Sequence, residues 1–126
     1  MRIEHLALTV DDPDAAGRWY AEHLGMRIAR QADEPVPVRF LADEAGTMLE
    51  IYRNPRVSPP DYRQMDPLLL HVAFRADDVA ATRQRLIAAG ATPAGDVEDL
   101  GDGVRIAMLR DPWGLAIQIT NRPPMA

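Results

Sequence analysis

The chain has 126 residues, a formal net charge of −5 and no cysteine, which suits one domain and excludes a disulfide framework or a thiolate nucleophile. Its 14 basic residues are scattered and outnumbered by 19 acidic ones, which argues against binding to nucleic acid or to an anionic membrane surface. No apolar run approaches the roughly 20 residues of a membrane span, and the first residues do not resemble a signal peptide, so we expect a cytoplasmic protein with a small-molecule partner.

The first half of the chain predicts a strand, a helix and three further strands. Residues 2–10 alternate between apolar and polar side chains and are rich in strand-forming residues. Asp11 or Asp12 can cap a helix that carries Pro13 in its first turn. Gly25 is placed to end that helix, since glycine readily adopts the left-handed conformation found at helix C-termini. Three shorter strand-like runs follow, near 26–31, 36–42 and 46–53.

The second half predicts the same order of elements. A strand at 68–75 precedes a helix at 78–89, which Gly90 ends. The later strands lie near 92–98, 103–110 and 114–121. Residues 54–67, between the halves, contain four prolines, which is typical of a linker or lid segment. We therefore predict one domain over 1–126, made of module 1 at about 1–53 and module 2 at about 68–122.

The two halves are also similar in sequence, at a spacing of 65 to 68 residues. The segment HLALTVDDPDAA, which begins at His5, aligns with HVAFRADDVAAT, which begins at His71. The later segments Leu24-Gly25 and GTMLEIY align with Ala89-Gly90 and GLAIQIT in the same order. Ordered matches of this kind indicate two copies of one βαβββ unit.

Strand alternation sets one polar side chain apart from its apolar neighbours in each of four strands. In the strand at 46–53, for example, Leu49 and Ile51 share one face and Glu50 lies on the other. The four residues set apart in this way are His5, Glu50, His71 and Gln118. If equivalent strands meet across a pseudo-twofold axis, these side chains converge into an N/O site for Zn²⁺, Ni²⁺, Co²⁺, Mn²⁺ or Fe²⁺. A single strand histidine is more often structural, so it is the joint pattern that favours a metal site.

Several motifs together resemble one known family. They are HLALTVDDPDAAGRWYAEHLGM, TMLEIY, HVAFRADDV and DPWGLAIQIT. The sequence resembles the vicinal oxygen chelate superfamily, which includes glyoxalase I, extradiol dioxygenases, methylmalonyl-CoA epimerase, and fosfomycin- and bleomycin-resistance proteins. The resemblance implies an α+β fold of two βαβββ modules that form a cupped, mostly antiparallel mixed sheet with helices on its outer face. It also implies a homodimer, in which modules are sometimes exchanged between chains.

The resemblance extends to the candidate ligands. His5, Glu50 and His71 match metal-ligand positions of the bacterial glyoxalase I type, and Gln118 stands where that family usually has Glu. In glyoxalases that carboxylate is both a ligand and a proton carrier. Glutamine can bind a metal through its amide oxygen but cannot accept a proton at neutral pH. Glu50 is then the only carboxylate of the set and the candidate catalytic proton carrier, or else a purely structural ligand.

Four further residues are candidates for holding a substrate. Arg39 and Arg105 occupy equivalent positions of the repeat, and either could bind an anionic group or be an exposed strand residue. Tyr52 shares the predicted face of Glu50. Trp113, in the DPWG turn, could close over a ligand or pack on the surface.

Three functions are compatible with these residues. The first is a metal-dependent enzyme that acts on a small oxygenated substrate through an enediolate-like intermediate, as a glyoxalase-I-like lyase with glutathione as co-substrate or as an isomerase or epimerase. The second is a non-catalytic binding protein of the bleomycin-resistance type, and the third is an extradiol-type dioxygenase. The set of His5, Glu50 and His71 favours the first function. Gln118 keeps the second open and counts against the third, which needs an acid at that position.

Overall fold

The computed structural model describes residues 1–125 and divides the chain into two units, Met1–Pro60 (unit 1) and Asp61–Ala126 (unit 2). The boundary falls within the segment 54–67 that the sequence predicts as a linker. Each unit contains one α-helix and one sheet of mixed strand direction, which confirms the predicted α+β class. Within the described part of the chain, no helix is both long enough and apolar enough to span a bilayer.

Unit 1 follows the predicted βαβββ order. Its elements are β1 (His5–Thr9), α1 (Pro13–Leu24), β2 (Arg27–Ala32), β3 (Val38–Ala42) and β4 (Met48–Tyr52). The strand order in the sheet is β1-β4-β3-β2, with β1 parallel to β4 and the other pairs antiparallel. The first strand is therefore an edge strand, and its neighbour in the sheet is the last strand of the unit.

Local sequence signals begin and end α1 as predicted. The side chain of Asp12 accepts a hydrogen bond of 3.0 Å from the backbone N–H of Ala15. Gly25 ends the helix with φ = 68°, a left-handed conformation that favours glycine. Between these ends, Trp19 and Tyr20 are buried, and α1 packs over β3 and β4. The capping residues thus fix the length of the helix, and its apolar face fixes where it lies on the sheet.

Unit 2 repeats this arrangement with one added strand. After a 3₁₀ helix at Tyr62–Gln64, its elements are β5 (Val72–Arg75), α2 (Val79–Ala88), β6 (Thr92–Pro93), β7 (Glu98–Gly101), β8 (Val104–Arg110) and β9 (Ala116–Thr120). The sheet order is β5-β9-β8-β6, and β7 also pairs with β8. β5 is parallel to β9, as β1 is to β4, so the first and last strands of both units are neighbours.

Two predicted strands of unit 2 are shorter in the structure. The strand predicted over 68–75 begins only at β5, because Asp66 accepts backbone hydrogen bonds from the two residues Leu68 and Leu69 and holds them in a turn. The strand predicted over 92–98 stops after β6, because Gly95 adopts φ = 98° and turns the chain. The chain then returns as the separate strand β7.

The faces of the strands follow the predicted alternation best in the middle of the sheet. On β4, Leu49 and Ile51 are buried, whereas Glu50 is only half-buried. On β1, Leu8 is 5% exposed but Leu6 is 46% exposed. The reason is that α1 covers β3 and β4 and leaves the start of the edge strand uncovered.

Candidate metal site

Two of the four predicted ligands meet in unit 1. The parallel pairing of β1 with β4 places Ala7 opposite Glu50, and His5, two residues earlier, lies on the same face as Ala7. The Nε2 atom of His5 is 3.0 Å from Oε2 of Glu50, and the two side chains are 36% and 23% exposed. The pair is therefore accessible to a small ion. The ring of Phe40 lies edge-on to His5, with 5.9 Å between ring centroids, and walls one side.

The other ring nitrogen of His5 contacts a residue that the sequence analysis did not single out. Nδ1 of His5 is hydrogen-bonded to the carboxylate of Glu4. This hydrogen bond raises the pKa of His5 above its ordinary value; partial desolvation acts against the shift, and the charges of Glu4 and Glu50 add to it. In metal-free protein the protonated ring can thus donate to a carboxylate from each nitrogen.

Unit 2 carries its polar side chains in the same register. Ala73 of β5 lies opposite Gln118 of β9, which in turn lies opposite Met108 of β8. This row corresponds to Ala7, Glu50 and Phe40 in unit 1. The repeat seen in the sequence is therefore also a repeat of strand register, with Gln118 in the place of Glu50.

His71 lies immediately before β5 and is half-buried. Its Nδ1 atom is 2.8 Å from the backbone carbonyl oxygen of Pro67. Because a carbonyl oxygen only accepts, Nδ1 carries the proton and donates it, and Nε2 of the neutral ring keeps a free lone pair. This is the tautomer that a metal-ligating histidine needs when it binds through Nε2.

The imidazole nitrogens and the carboxylate and amide oxygens of the predicted ligands are of the types that bind a divalent cation. Two neighbouring ligands of an octahedral ion, each about 2.1 Å from it, are about 3.0 Å apart. The donor atoms of His5 and Glu50 are separated by 3.0 Å. Unit 2 offers the imidazole of His71 and the amide oxygen of Gln118. Within residues 1–125, no group of three or more His, Asp or Glu side chains that could hold a metal ion is found.

Strand register decides on which face of its sheet each candidate substrate arginine lies. Arg39 pairs with Ile51 on the face of unit 1 that packs beneath α1. By the same alternation, Arg105 of β8 points to the side of the buried Ala107, opposite the face that carries Gln118. Neither arginine therefore lies on the face of the predicted ligands in its own unit.

Arg39 is also not an exposed strand residue, since its exposed fraction is 5%. Its guanidinium donates hydrogen bonds to Asp33 at 2.9 Å and to Asp14 at 3.2 Å. Burial acts to lower the pKa of Arg39, but these hydrogen bonds raise it. Gly17 of α1 makes room for this side chain, because a Cβ there would lie 3.2 Å from Cγ of Arg39. Through these hydrogen bonds Arg39 links α1 to the strands that it packs against. Arg105, in contrast, is exposed, and its role in holding an anionic substrate stays a prediction.

The two aromatic candidates lie in different surroundings. Tyr52 is half-buried on the same face of β4 as Glu50, which agrees with the predicted alternation. Trp113 is half-buried in a turn that Asp111 closes by accepting hydrogen bonds from the backbone N–H groups of Trp113 and Leu115, at 2.9 and 3.0 Å. Tyr52 is therefore a candidate pocket wall, and the role of Trp113 stays a prediction.

The sequence itself identifies the family. Residues 2–119 match the family model described as the Glyoxalase/Bleomycin resistance protein/Dioxygenase superfamily. The chain belongs to this superfamily. The matched range contains all four predicted ligands, and it confirms the resemblance predicted from the sequence motifs.

Members of the superfamily with different names are similar to this chain. A lactoylglutathione lyase of Haemophilus influenzae is 32% identical over 127 residues, which covers 94% of this chain and 90% of the relative. An ethylmalonyl-CoA/methylmalonyl-CoA epimerase of Cereibacter sphaeroides is 30% identical over 104 residues, which covers 77% of each. The crystal structure of a glyoxalase family protein from Bacillus cereus matches with a TM-score of 0.83 at 20% identity, covers 95% of this chain and 93% of its own, and shows the shared fold.

Sequence reasoning missed two residues near the candidate site of this superfamily member. Glu4 stands directly before β1, and strand alternation gave no reason to place its side chain against that of the next residue, His5. Arg30 of β2 pairs with Phe40 and so lies on the face of Glu50, but a bulge just before Arg30 breaks the alternation along β2. Only the pairing register reveals that Arg30 is on this face.

Proposed function

We propose that this superfamily member is a metal-dependent lyase or isomerase that acts on a small oxygenated substrate through an enediolate-like intermediate. Its cation ligands in this proposal are His5, Glu50, His71 and Gln118. The observation that carries the proposal is the 3.0 Å separation between Nε2 of His5 and Oε2 of Glu50, on the sheet face opposite α1. The matching register of Gln118 and the free Nε2 of His71 support it from unit 2.

Glu50 is the proton carrier in this proposal. A bound divalent cation supplies Lewis-acid polarisation of a substrate carbonyl, which acidifies the neighbouring C–H. Glu50 accepts that proton as a general base and returns it to the adjacent atom, or to the opposite face of the same carbon, so no proton is lost overall. Gln118 cannot share this task, because an amide does not accept a proton at neutral pH.

The names of the two relatives suggest substrates for this chain. One relative is named a lactoylglutathione lyase and the other an ethylmalonyl-CoA/methylmalonyl-CoA epimerase. We propose a substrate of the same kind, which has a carbonyl next to an acidic C–H and is carried on a thiol. The hemithioacetal of methylglyoxal and glutathione and a branched malonyl thioester are the two compounds to assay first.

Metal analysis of protein purified without chelator tests the proposal. We expect about one first-row metal ion per assembled site in the wild-type protein and loss of that ion in His71→Ala. His23→Ala is the matched control, because His23 belongs to the end of α1, where its ring centroid lies 5.4 Å from that of Trp19. Wild-type protein that contains no metal and also fails to bind added Zn²⁺ or Co²⁺ would contradict the proposal.

Gln118 favours a second candidate function. A cleft that only sequesters a small molecule needs no proton carrier, and an amide in the usual place of an acid removes one negative charge. The alternative is therefore a non-catalytic binding protein of the bleomycin-resistance type. Binding of a planar drug by metal-free protein, with the same affinity in His71→Ala, would support this alternative over the enzyme.

We further propose that the protein is a homodimer. Large apolar side chains are exposed beside the edge strands, at Ile3 and Leu6 near β1 and at Leu68 and Leu69 before β5. Exposed apolar surface next to unpaired strand edges favours association with a second chain. Analytical ultracentrifugation should give the mass of two chains at micromolar concentration, and a purely monomeric sample would contradict this proposal.

A further inference from the structure

The two histidines of the candidate site share one feature, which is a local oxygen at Nδ1. For His71 this oxygen is the backbone carbonyl of Pro67, at 2.8 Å. For His5 it is the carboxylate of Glu4, the preceding residue. In both units, therefore, Nδ1 of the histidine has an acceptor supplied by a residue nearby in the chain. The two acceptors differ in charge, since the carbonyl is neutral and the carboxylate is anionic.

An acceptor at Nδ1 decides which nitrogen of a neutral imidazole can bind a cation. A neutral ring has one proton, and the nitrogen without it carries the lone pair. A hydrogen bond from Nδ1–H to an oxygen holds the proton there and fixes the rotation of the ring. Without that oxygen, the proton of the neutral ring moves to Nε2, where the Glu50 carboxylate accepts it, and Nε2 then has no lone pair for a cation. In this structure Nε2 of His5 is the atom 3.0 Å from the Glu50 carboxylate.

We infer that Glu4 is a positioning residue for His5. Its carboxylate holds the proton of the neutral ring on Nδ1 and commits Nε2 to the cation, the task that the Pro67 carbonyl performs for His71. The inference rests on the proposed function, because the benefit of Glu4 is realised when a cation binds. In this role Glu4 contacts neither the substrate nor the cation and acts only through His5.

The position of Glu4 supports a local and specific role. The residue precedes the first strand and is largely exposed, with 67% of its side chain accessible, so it has no packing role that a substitution would disturb. The one hydrogen-bond or ion-pair partner of its side chain within residues 1–125 is His5, and its backbone carbonyl accepts from the N–H of Met48 at 3.2 Å. Substitution of Glu4 should therefore leave the folded state intact and change only the imidazole.

The test compares Glu4→Ala and Glu4→Gln with Glu22→Ala in the full-length protein. Glu22 is the matched control, because it also precedes a histidine, His23, with 3.8 Å between their side-chain atoms, and it lies outside the candidate site. Zn²⁺ affinity is measured by chelator competition with metal-free protein. Loss of an outer partner of a ligating histidine typically costs 10- to 100-fold in affinity, so we expect a loss of about that size in Glu4→Ala and none in Glu22→Ala.

The glutamine variant separates a hydrogen bond from a simple charge effect. The amide oxygen of Glu4→Gln can still accept from Nδ1–H, so we expect this variant to keep most of the wild-type affinity. Unchanged affinity in Glu4→Ala would overturn the inference, as would an equal loss in Glu4→Gln and Glu4→Ala.

A second measurement needs no metal. Long-range ¹H–¹⁵N correlation spectra of the metal-free protein, at a pH where His5 is neutral, report which ring nitrogen carries the proton. We expect Nδ1–H in the wild-type protein and in Glu4→Gln, and a shift toward Nε2–H in Glu4→Ala. The same tautomer in all three proteins would overturn the inference. A protein that binds no metal but shows the expected tautomers would contradict the proposed function and leave Glu4 as a positioning residue.

Discussion

Nε2 of His5 lies 3.0 Å from Oε2 of Glu50, although the parallel ladder pairs Glu50 with Ala7 and not with His5. The two side chains are diagonal neighbours on one face of the sheet, a separation that a long side chain and an imidazole can span. Ala7, directly opposite Glu50, carries only a methyl group. A donor pair of this kind is held by backbone pairing, so it does not depend on the rest of the site for its geometry.

Glu50→Gln should abolish turnover if Glu50 carries the proton. The amide keeps the size of the side chain and an oxygen donor, but it cannot accept a proton. General acid–base catalysis contributes about 10²- to 10⁴-fold, so we expect a fall of that order in kcat for the hemithioacetal or thioester substrate. Metal content, measured on the same samples, should change much less than kcat. Full activity in Glu50→Gln would place the base elsewhere.

Gln118→Glu should bring the site closer to a glyoxalase. The change restores the acid that the resemblance leads one to expect and provides a second proton acceptor among the predicted ligands. We expect turnover of methylglyoxal with glutathione to rise at least about tenfold, measured as formation of the thioester product. Gln31→Glu is the control, because Gln31 pairs with Arg39 and lies on the other face of its sheet. A gain in the control as well would show that added charge alone is responsible.

The pKa of His5 in metal-free protein should be above its ordinary value of about 6.5. Because the folded-state pKa is raised, the contribution of His5 to the free energy of unfolding is fully present below pH 6.5 and is lost as the pH rises through the folded-state pKa. NMR titration of the ring should show a midpoint above 6.5 in the wild-type protein. Glu50→Gln should lower that midpoint, because it removes one of the charges that raise it. A midpoint at or below 6.5 in the wild-type protein would show that these carboxylates do not act on the ring.

Arg39→Met should destabilise unit 1. The substitution keeps an apolar stem beneath α1 but removes the hydrogen bonds to Asp14, Asp33 and two backbone carbonyls. Both carboxylates are largely exposed, so water replaces part of what is lost, and we expect a fall of about 2 kcal/mol in the free energy of unfolding.

Arg105→Met is the matched control for this prediction. It is the equivalent residue of the second repeat, but it is exposed, so we expect a change within about 0.5 kcal/mol. Urea denaturation followed by circular dichroism measures both variants. Equal losses of stability in Arg39→Met and Arg105→Met would show that the ion pairs of Arg39 do not stabilise unit 1.

Local signals in the sequence predicted most of the elements. Asp12 and Gly25 bound α1 as expected, because capping depends on residues within one turn of the helix end. The extra strand β7 was not predicted, since the strand predicted over 92–98 runs through Gly95, where the chain turns with φ = 98°. The start of β5 was placed too early, because the hydrogen bonds that Asp66 accepts compete with strand pairing.

The sequence by itself determined that the chain contains two similar units, each with a strand, a helix and later strands in that order, and that polar side chains alternate with aliphatic ones on their strands. Both conclusions rest on spacing along the chain, which the period of a strand and the ends of a helix convert directly into structure. Only the tertiary structure decided that His5 reaches Glu50, that Glu4 occupies the other nitrogen of the ring, and that Arg39 is buried under α1. These contacts depend on which strand lies beside which and in what register. Pairing of that kind joins residues far apart in the chain, and alternation within a single strand carries no information about it.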